Sequence, residues 1–152
     1  METLNIVLAS ELMCVLRYKR HYYSAVGINA ASAKQEFLEH AQEAQQHADR
    51  VAARIVELNG LPDFKPDSIA GRSLSQYTNA HSIHEMIKED LVAERIAVEA
   101  YSEVVRWLGE NDVTTRKLMA DILTVEEQHA ADMQRLYEVL RPVSSTGSRA
   151  KD

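Results

Sequence analysis

Glu94 and the run Glu126-Glu127-Gln128-His129 are residue types that bind transition metals, and the first half of the chain repeats them almost in register. There Glu11 is followed by Glu43-Ala44-Gln45-Gln46-His47. Glu11 and His47 lie 36 positions apart, Glu94 and His129 lie 35 apart, and Tyr18 and Tyr101 each follow the leading glutamate by seven. Residues i and i+3 are neighbours on a helix surface, so Glu126 and His129 present carboxylate and imidazole together. Two Glu-x-x-His helices and two single-glutamate helices enclose a two-metal centre in a four-helix bundle. The chain has every piece of that centre except the carboxylate at position 44, which is Ala44. A carboxylate and imidazole mixture suits iron, with zinc and manganese able to compete. Isolated acids on amphipathic helices are common. The joint register of two His, three Glu and two Tyr is what points to a metal site.

Four long helices must position these groups. Leu4, Leu8, Glu11, Val15, Tyr18 and Tyr22 recur at three- and four-residue steps, predicting a first helix from about Leu4 to Val26, with Gly27 as its stop. Ser32-Ala33-Lys34-Gln35 has the form of a capping box and opens a second helix that runs to Leu58. Ser82-Ile83-His84-Glu85 opens a third that stops at Gly109. The fourth starts near Asp112 and ends around Leu140, because Pro142 disfavours helix at Arg141. The first and last connections are short, so each helix pair is an antiparallel hairpin. The middle connection, from Gly60 to His81, is long enough to run the length of a bundle, since about 21 extended residues reach roughly 70 Å. The expectation is an all-α four-helix bundle over residues 1–141, two hairpins joined by one long crossover, with 142–152 as a polar, mobile tail.

Composition narrows the function classes. A length of 152 residues suits one domain with one core. A net charge of −6 disfavours nonspecific DNA binding, which depends on neutralising phosphates. The three tail cations Arg141, Arg149 and Lys151 are a weak counter-signal. The lone Cys14 cannot form an internal disulfide and reads as a small buried thiol. No signal peptide or membrane span is evident, so the cytoplasm is the expected location.

Residues Ser10-Glu11-Leu12 with Tyr18, His47-Ala48-Asp49-Arg50, Asp90 to Glu94 and Glu126-Glu127-Gln128-His129 resemble those of bacterioferritins and the bacterioferritin-like members of the Dps (mini-ferritin) group. The resemblance spans roughly residues 4–140. It implies the ferritin-like fold, two iron ions per subunit, and oxidation of Fe²⁺ by O₂ or H₂O₂ with storage of Fe³⁺ in an oligomeric shell. Carried over, Glu11 and His47 hold one metal, Glu94 and His129 the other, and Glu126 bridges. These five are also the residues expected to carry the oxidation. Tyr18 and Tyr101 stand beside the site, as electron donors or as hydrogen-bond partners of its carboxylates. The resemblance also implies a homo-oligomer. The polar tail in place of a fifth helix favours 12 subunits over 24.

The departures shape the expected activity. Ala44 stands where the second bridging glutamate belongs, so metal occupancy is expected to be partial and oxidation reduced. Neighbouring Glu43 is rotated by about 100° and is expected to point away, as is Gln46. Gln45 replaces the haem-binding methionine, so haem is not expected. Two rival functions share the bundle. One is a peroxidase or manganese-catalase-like enzyme, although the chain lacks the paired cysteines of a rubrerythrin. The other is a metal-binding shell whose ferroxidase centre is impaired. His40, His81 and His84 read as surface histidines, and Trp107 as a core or subunit-contact anchor.

Overall fold

The computed structural model describes residues 1–28 and 30–141 and is helical throughout, with no strand among the described residues. The helices are α1 (Glu2–Ser24), α2 (Ala30–Glu57), α3 (Ile69–Arg72, preceded by a 3₁₀ turn at Pro66–Ser68), α4 (Ile83–Leu108) and α5 (Val113–Val139). The expected tail, 142–152, lies outside the described residues.

The α4 start forms as its sequence dictates. The Ser82 side chain accepts from the Glu85 amide, and the Glu85 carboxylate accepts from the Ser82 amide. Gly109, at φ 50°, ends α4 in a conformation that costs an L-residue energy, and the Asp112 side chain caps α5. The proposed box at Ser32 does not form a helix start. α2 begins two residues earlier at Ala30, and Ser32 is exposed within its first turn. Ala30 and Ala33 are both buried, so packing favours this start over one at Ser32.

The crossover is strapped along α1 in rising order. Asn5 bonds Leu61 and Asp63, Ser10 receives the Leu74 amide, Arg17 reaches Ser75 and Gln76, and Arg20 reaches Ala80. The strand of contacts climbs from the start of α1 to its end. α4 therefore begins at the end of the bundle where α2 begins, and the two run parallel. The connection anticipated as plain linker contains the short α3, whose Arg72 bonds the carbonyls of Asn5 and Asp63.

Arg17 is the principal fastener. It is 1% exposed, and its guanidinium lies 2.7 Å from Ser75 Oγ and 2.9 Å from the Gln76 carbonyl. Arg17→Met removes the donors and leaves those acceptors short of partners. The expected cost is about 3 kcal/mol, or a fall of roughly 5–10 °C in Tm by differential scanning calorimetry. A variant that melts with the parent would show that the crossover is held by other means.

The core has two apolar regions. One gathers Val15, Phe37, Ile87 and Met133, the other Leu8, Val51, Met119 and Ile122. Between them lies a buried polar layer: Glu11, His47, Glu94, Glu126 and His129. Trp107 is 71% exposed, so it is not a core anchor in the single chain. No described helix is long and apolar enough to cross a membrane.

Candidate metal centre

Each of the four long helices delivers one or two polar side chains to the same layer. Glu11 comes from α1, His47 from α2, Glu94 from α4, and Glu126 and His129 from α5. All five are at most 4% exposed. His47 Nδ1 lies 3.1 Å from Glu126 Oε1 and 3.5 Å from Glu11 Oε2. His129 Nδ1 lies 3.5 Å from both Glu94 Oε1 and Glu126 Oε2. Glu126 thus stands between the two imidazoles. Both histidines aim the same ring nitrogen at the carboxylates.

Tyr101 donates to Glu11 Oε1, and Tyr18 donates to Glu94 Oε1 at 2.6 Å. Each tyrosine reaches across to the glutamate of the opposite hairpin. Burial, then the adjacent carboxylate (Glu94 for Tyr18, Glu11 for Tyr101), pushes both phenols well above their ordinary range, which keeps them donors. Burial, reinforced by Glu94, does the same to the Cys14 thiol.

Three carboxylates in a dry layer need positive charge. Burial alone would lower both imidazoles, but hydrogen bonds outweigh it. Those to Glu11 and Glu126 raise His47 to about 9, and those to Glu126 and Glu94 raise His129 to about 11. Burial, then the charges of Glu94 and Glu11, pushes the Glu126 carboxyl up. Burial would also raise Glu94. Its bonds with Glu126 and His129 instead hold it at about 2. Protons therefore occupy the place where cations would sit. Glu11 Oε2 and Glu94 Oε2 remain buried with no hydrogen-bond partner. Buried carboxylate oxygens without a hydrogen bond are costly, and here their carboxylates converge with imidazole nitrogens. The donor set fits a transition-metal pair. Ala44, 2% exposed, supplies only a methyl group to this layer.

Two expectations need correction. Glu43 does not point away from the site: its Oε2 lies 3.0 Å from His129 Nε2. The long side chain reaches around the flank of α2, which the rotation of one residue along the helix did not anticipate. It accepts a hydrogen bond from Nε2–H and so leaves Nδ1 as the inward nitrogen, the arrangement that orients and strengthens a metal-binding histidine. Glu43→Gln is expected to weaken Zn²⁺ binding about tenfold in calorimetric titration. Glu127→Gln, on an exposed residue, should leave it unchanged. Equal affinities would remove Glu43 from the site.

His40 is not a surface histidine. It is 1% exposed, stacks on His129 with ring centroids 3.9 Å apart, and places Nδ1 3.1 Å from Tyr18 Oη. Burial and the neighbouring His129 hold it below its ordinary value. The signal was its position seven residues before His47, two turns back on the same face. His84 is partly buried and stacks on Tyr137, whereas His81 is exposed as expected.

The ferritin-like domain family matches residues 1–143. The chain belongs to the ferritin-like family. This ferritin-like chain is 27% identical over 145 residues to a bacterioferritin of Rhodobacter capsulatus, covering 93% of this chain and 86% of that protein. It is 26% identical over 132 residues to a nutrient stress-induced DNA-binding protein of Nostoc sp., covering 85% and 72%. Among solved structures, the dodecameric thioferritin of Bacteroides fragilis, a bacterioferritin-related protein, superposes with a TM-score of 0.87 at 29% identity, covering 92% of this chain and 85% of that one. Dps of Thermosynechococcus elongatus superposes with a TM-score of 0.85 at 18% identity, covering 89% and 87%, a likeness of fold.

Proposed function

We propose that this ferritin-like chain takes up Fe²⁺ at the intra-bundle centre, oxidises it with O₂ or H₂O₂, and stores Fe³⁺ inside a homo-oligomeric shell. One observation carries the reading. The buried carboxylates of Glu11 and Glu94, each with one oxygen that makes no hydrogen bond, lie 3.5 Å from the Nδ1 atoms of His47 and His129 around Glu126. Glu11 and His47 then bind one iron, Glu94 and His129 the second, and Glu126 spans them. Tyr101 and Tyr18 fix the outer glutamates, and the apolar regions on either side keep bulk water from the reacting metals. The centre has one bridging carboxylate, because Ala44 contributes none. The pair is therefore held weakly, the second metal is partly occupied, and oxidation is slow.

The assembly we propose is a dodecamer. The related Bacteroides fragilis protein is named as dodecameric. This chain exposes large apolar side chains, among them Leu74 and Val92 in one groove between the crossover and α4, which subunit contacts would cover. Haem has no part in it, since Gln45 is exposed and bonds Asp49 rather than offering a thioether. Nucleic acid is not a partner in this reading, because the chain carries a net charge of −6.

Light scattering on the purified protein, followed by Fe²⁺ oxidation monitored by absorbance on the same sample, tests both claims. A hollow 12-subunit particle that oxidises Fe²⁺ faster than buffer alone is the expected result. A monomer or simple dimer would overturn the shell, and an oxidation rate equal to buffer would overturn the catalytic centre.

A further inference from the structure

Outside the central layer, Glu36, His40 and Asp132 bring three more ligand types together where α2 faces α5. Glu36 Oε2 lies 3.4 Å and Asp132 Oδ2 3.3 Å from His40 Nε2. The ligand atoms of the three lie within 4.8 Å of one another. His40 is a built part of this cluster, with its orientation fixed from behind. Tyr18 has one proton and gives it to Glu94. Tyr18 Oη must then accept from His40 Nδ1, 3.1 Å away. His40 Nε2 faces the two carboxylate oxygens, at hydrogen-bond distance from Asp132 Oδ2, so a proton or a cation lies among the three atoms. Stacking on His129 keeps the two ring planes nearly parallel, at 19°, and one nitrogen of each ring also lies within 4.8 Å of a Glu94 oxygen on the central side.

We infer that Glu36, His40 and Asp132 form a third divalent-metal site, peripheral to the central pair and joined to it through Tyr18 and Glu94. One imidazole and two carboxylates suit Fe²⁺, Zn²⁺ or Co²⁺. The other carboxylate oxygens are already occupied. Arg135 lies 3.4 Å from Glu36 Oε1 and 3.3 Å from Asp132 Oδ1, and Gln128 also bonds Asp132 Oδ1. With Arg135 counted, the cluster still carries one net negative charge when His40 is neutral. The Glu36 and Asp132 side chains are 23% and 15% exposed, so an ion reaches the site from solvent. The five side chains of the central pair are more deeply buried, and a cavity lined by Glu11, Cys14 and Tyr101 approaches them from the side of the crossover.

Crystals of the full chain grown with Zn²⁺, with diffraction recorded on both sides of the zinc absorption edge, decide the matter. The expected result is an anomalous peak about 2.1 Å from His40 Nε2, separate from any peak at the central pair. No peak there would overturn the inference, since a proton then fills the gap. In Glu36→Gln/Asp132→Asn, that peak and one Zn²⁺ equivalent per chain by calorimetry should be lost while central binding stays. Retention of the outer ion in this variant would equally overturn it. If the double variant does not fold, the parent crystals still give the answer. Absence of the central peaks alone would count against the proposed oxidation centre and not against this site.

Discussion

Ala44→Glu is expected to speed initial Fe²⁺ oxidation by at least about tenfold, and to make the metal-free protein less stable. Both effects have one origin. Position 44 lies one helical turn before His47, and Ala44 is buried in the layer. A carboxylate there joins Glu11, Glu94 and Glu126 in a region already short of positive charge. Without metal, a fourth buried acid must be protonated or endure repulsion, at a cost of roughly 2–4 kcal/mol. With metal, the same group supplies a second bridge between two divalent ions and raises the affinity of both. A gain of about 1.4 kcal/mol in transition-state stabilisation is already a factor of ten in rate. Metal should therefore raise the Tm of the variant more than that of the parent. Stopped-flow absorbance and calorimetry with and without Zn²⁺ check the two halves. If the rate and the metal-free Tm both stay at parental values, the defect assigned to Ala44 does not exist.

The motif register anticipated which five side chains share one layer because the hairpins are long, regular and pseudo-symmetric. Spacing along a helix converts directly into direction, so Glu11, His47, Glu94, Glu126 and His129 meet as the sequence indicates. The Ser82 capping box and the Gly109 stop were legible for a similar reason: each is a local hydrogen-bond or dihedral requirement. Ser32 shows the limit of local reading. It has the same chemistry as Ser82, but Ala30 and Ala33 pack into the core and pull the helix start past it. Glu43 and His40 show a second limit. Helical rotation places a Cβ, whereas a long side chain can still swing onto a neighbour, as Glu43 does onto His129. His40 was on the correct face, but its bond to Tyr18 and its stack on His129 join three helices, and only the packed bundle reveals them. Trp107 is not the core anchor that was one of its two expected roles: it points outward from α4 while Leu108 beside it packs into the core.

Metal binding should expel protons, and its affinity should climb with pH. In the metal-free layer His47 is raised to about 9 and His129 to about 11, so both imidazoles are charged at pH 7. Burial and the Glu94 charge also push the Glu126 carboxyl up. A metal needs neutral imidazole and ionised carboxylate. Each Zn²⁺-loaded chain should thus release roughly two protons at pH 7. Calorimetry in buffers of different ionisation enthalpy counts them directly. The logarithm of the apparent affinity should rise by about two per pH unit between pH 6 and 8. The metal-free protein responds in the opposite direction. Histidines raised by folding stabilise it fully below their unfolded value near 6.5, and that stability is lost as pH rises through about 9 and then about 11. Glu94, held at about 2, stabilises above its unfolded value near 4.5 and loses that contribution as pH falls toward 2. The Tm difference between Zn²⁺-loaded and metal-free protein should therefore widen steadily from pH 6 to pH 9. A difference that is flat across that range, with no buffer-dependent heat, would mean that His47 and His129 are already neutral. The layer would then not use protons in place of cations.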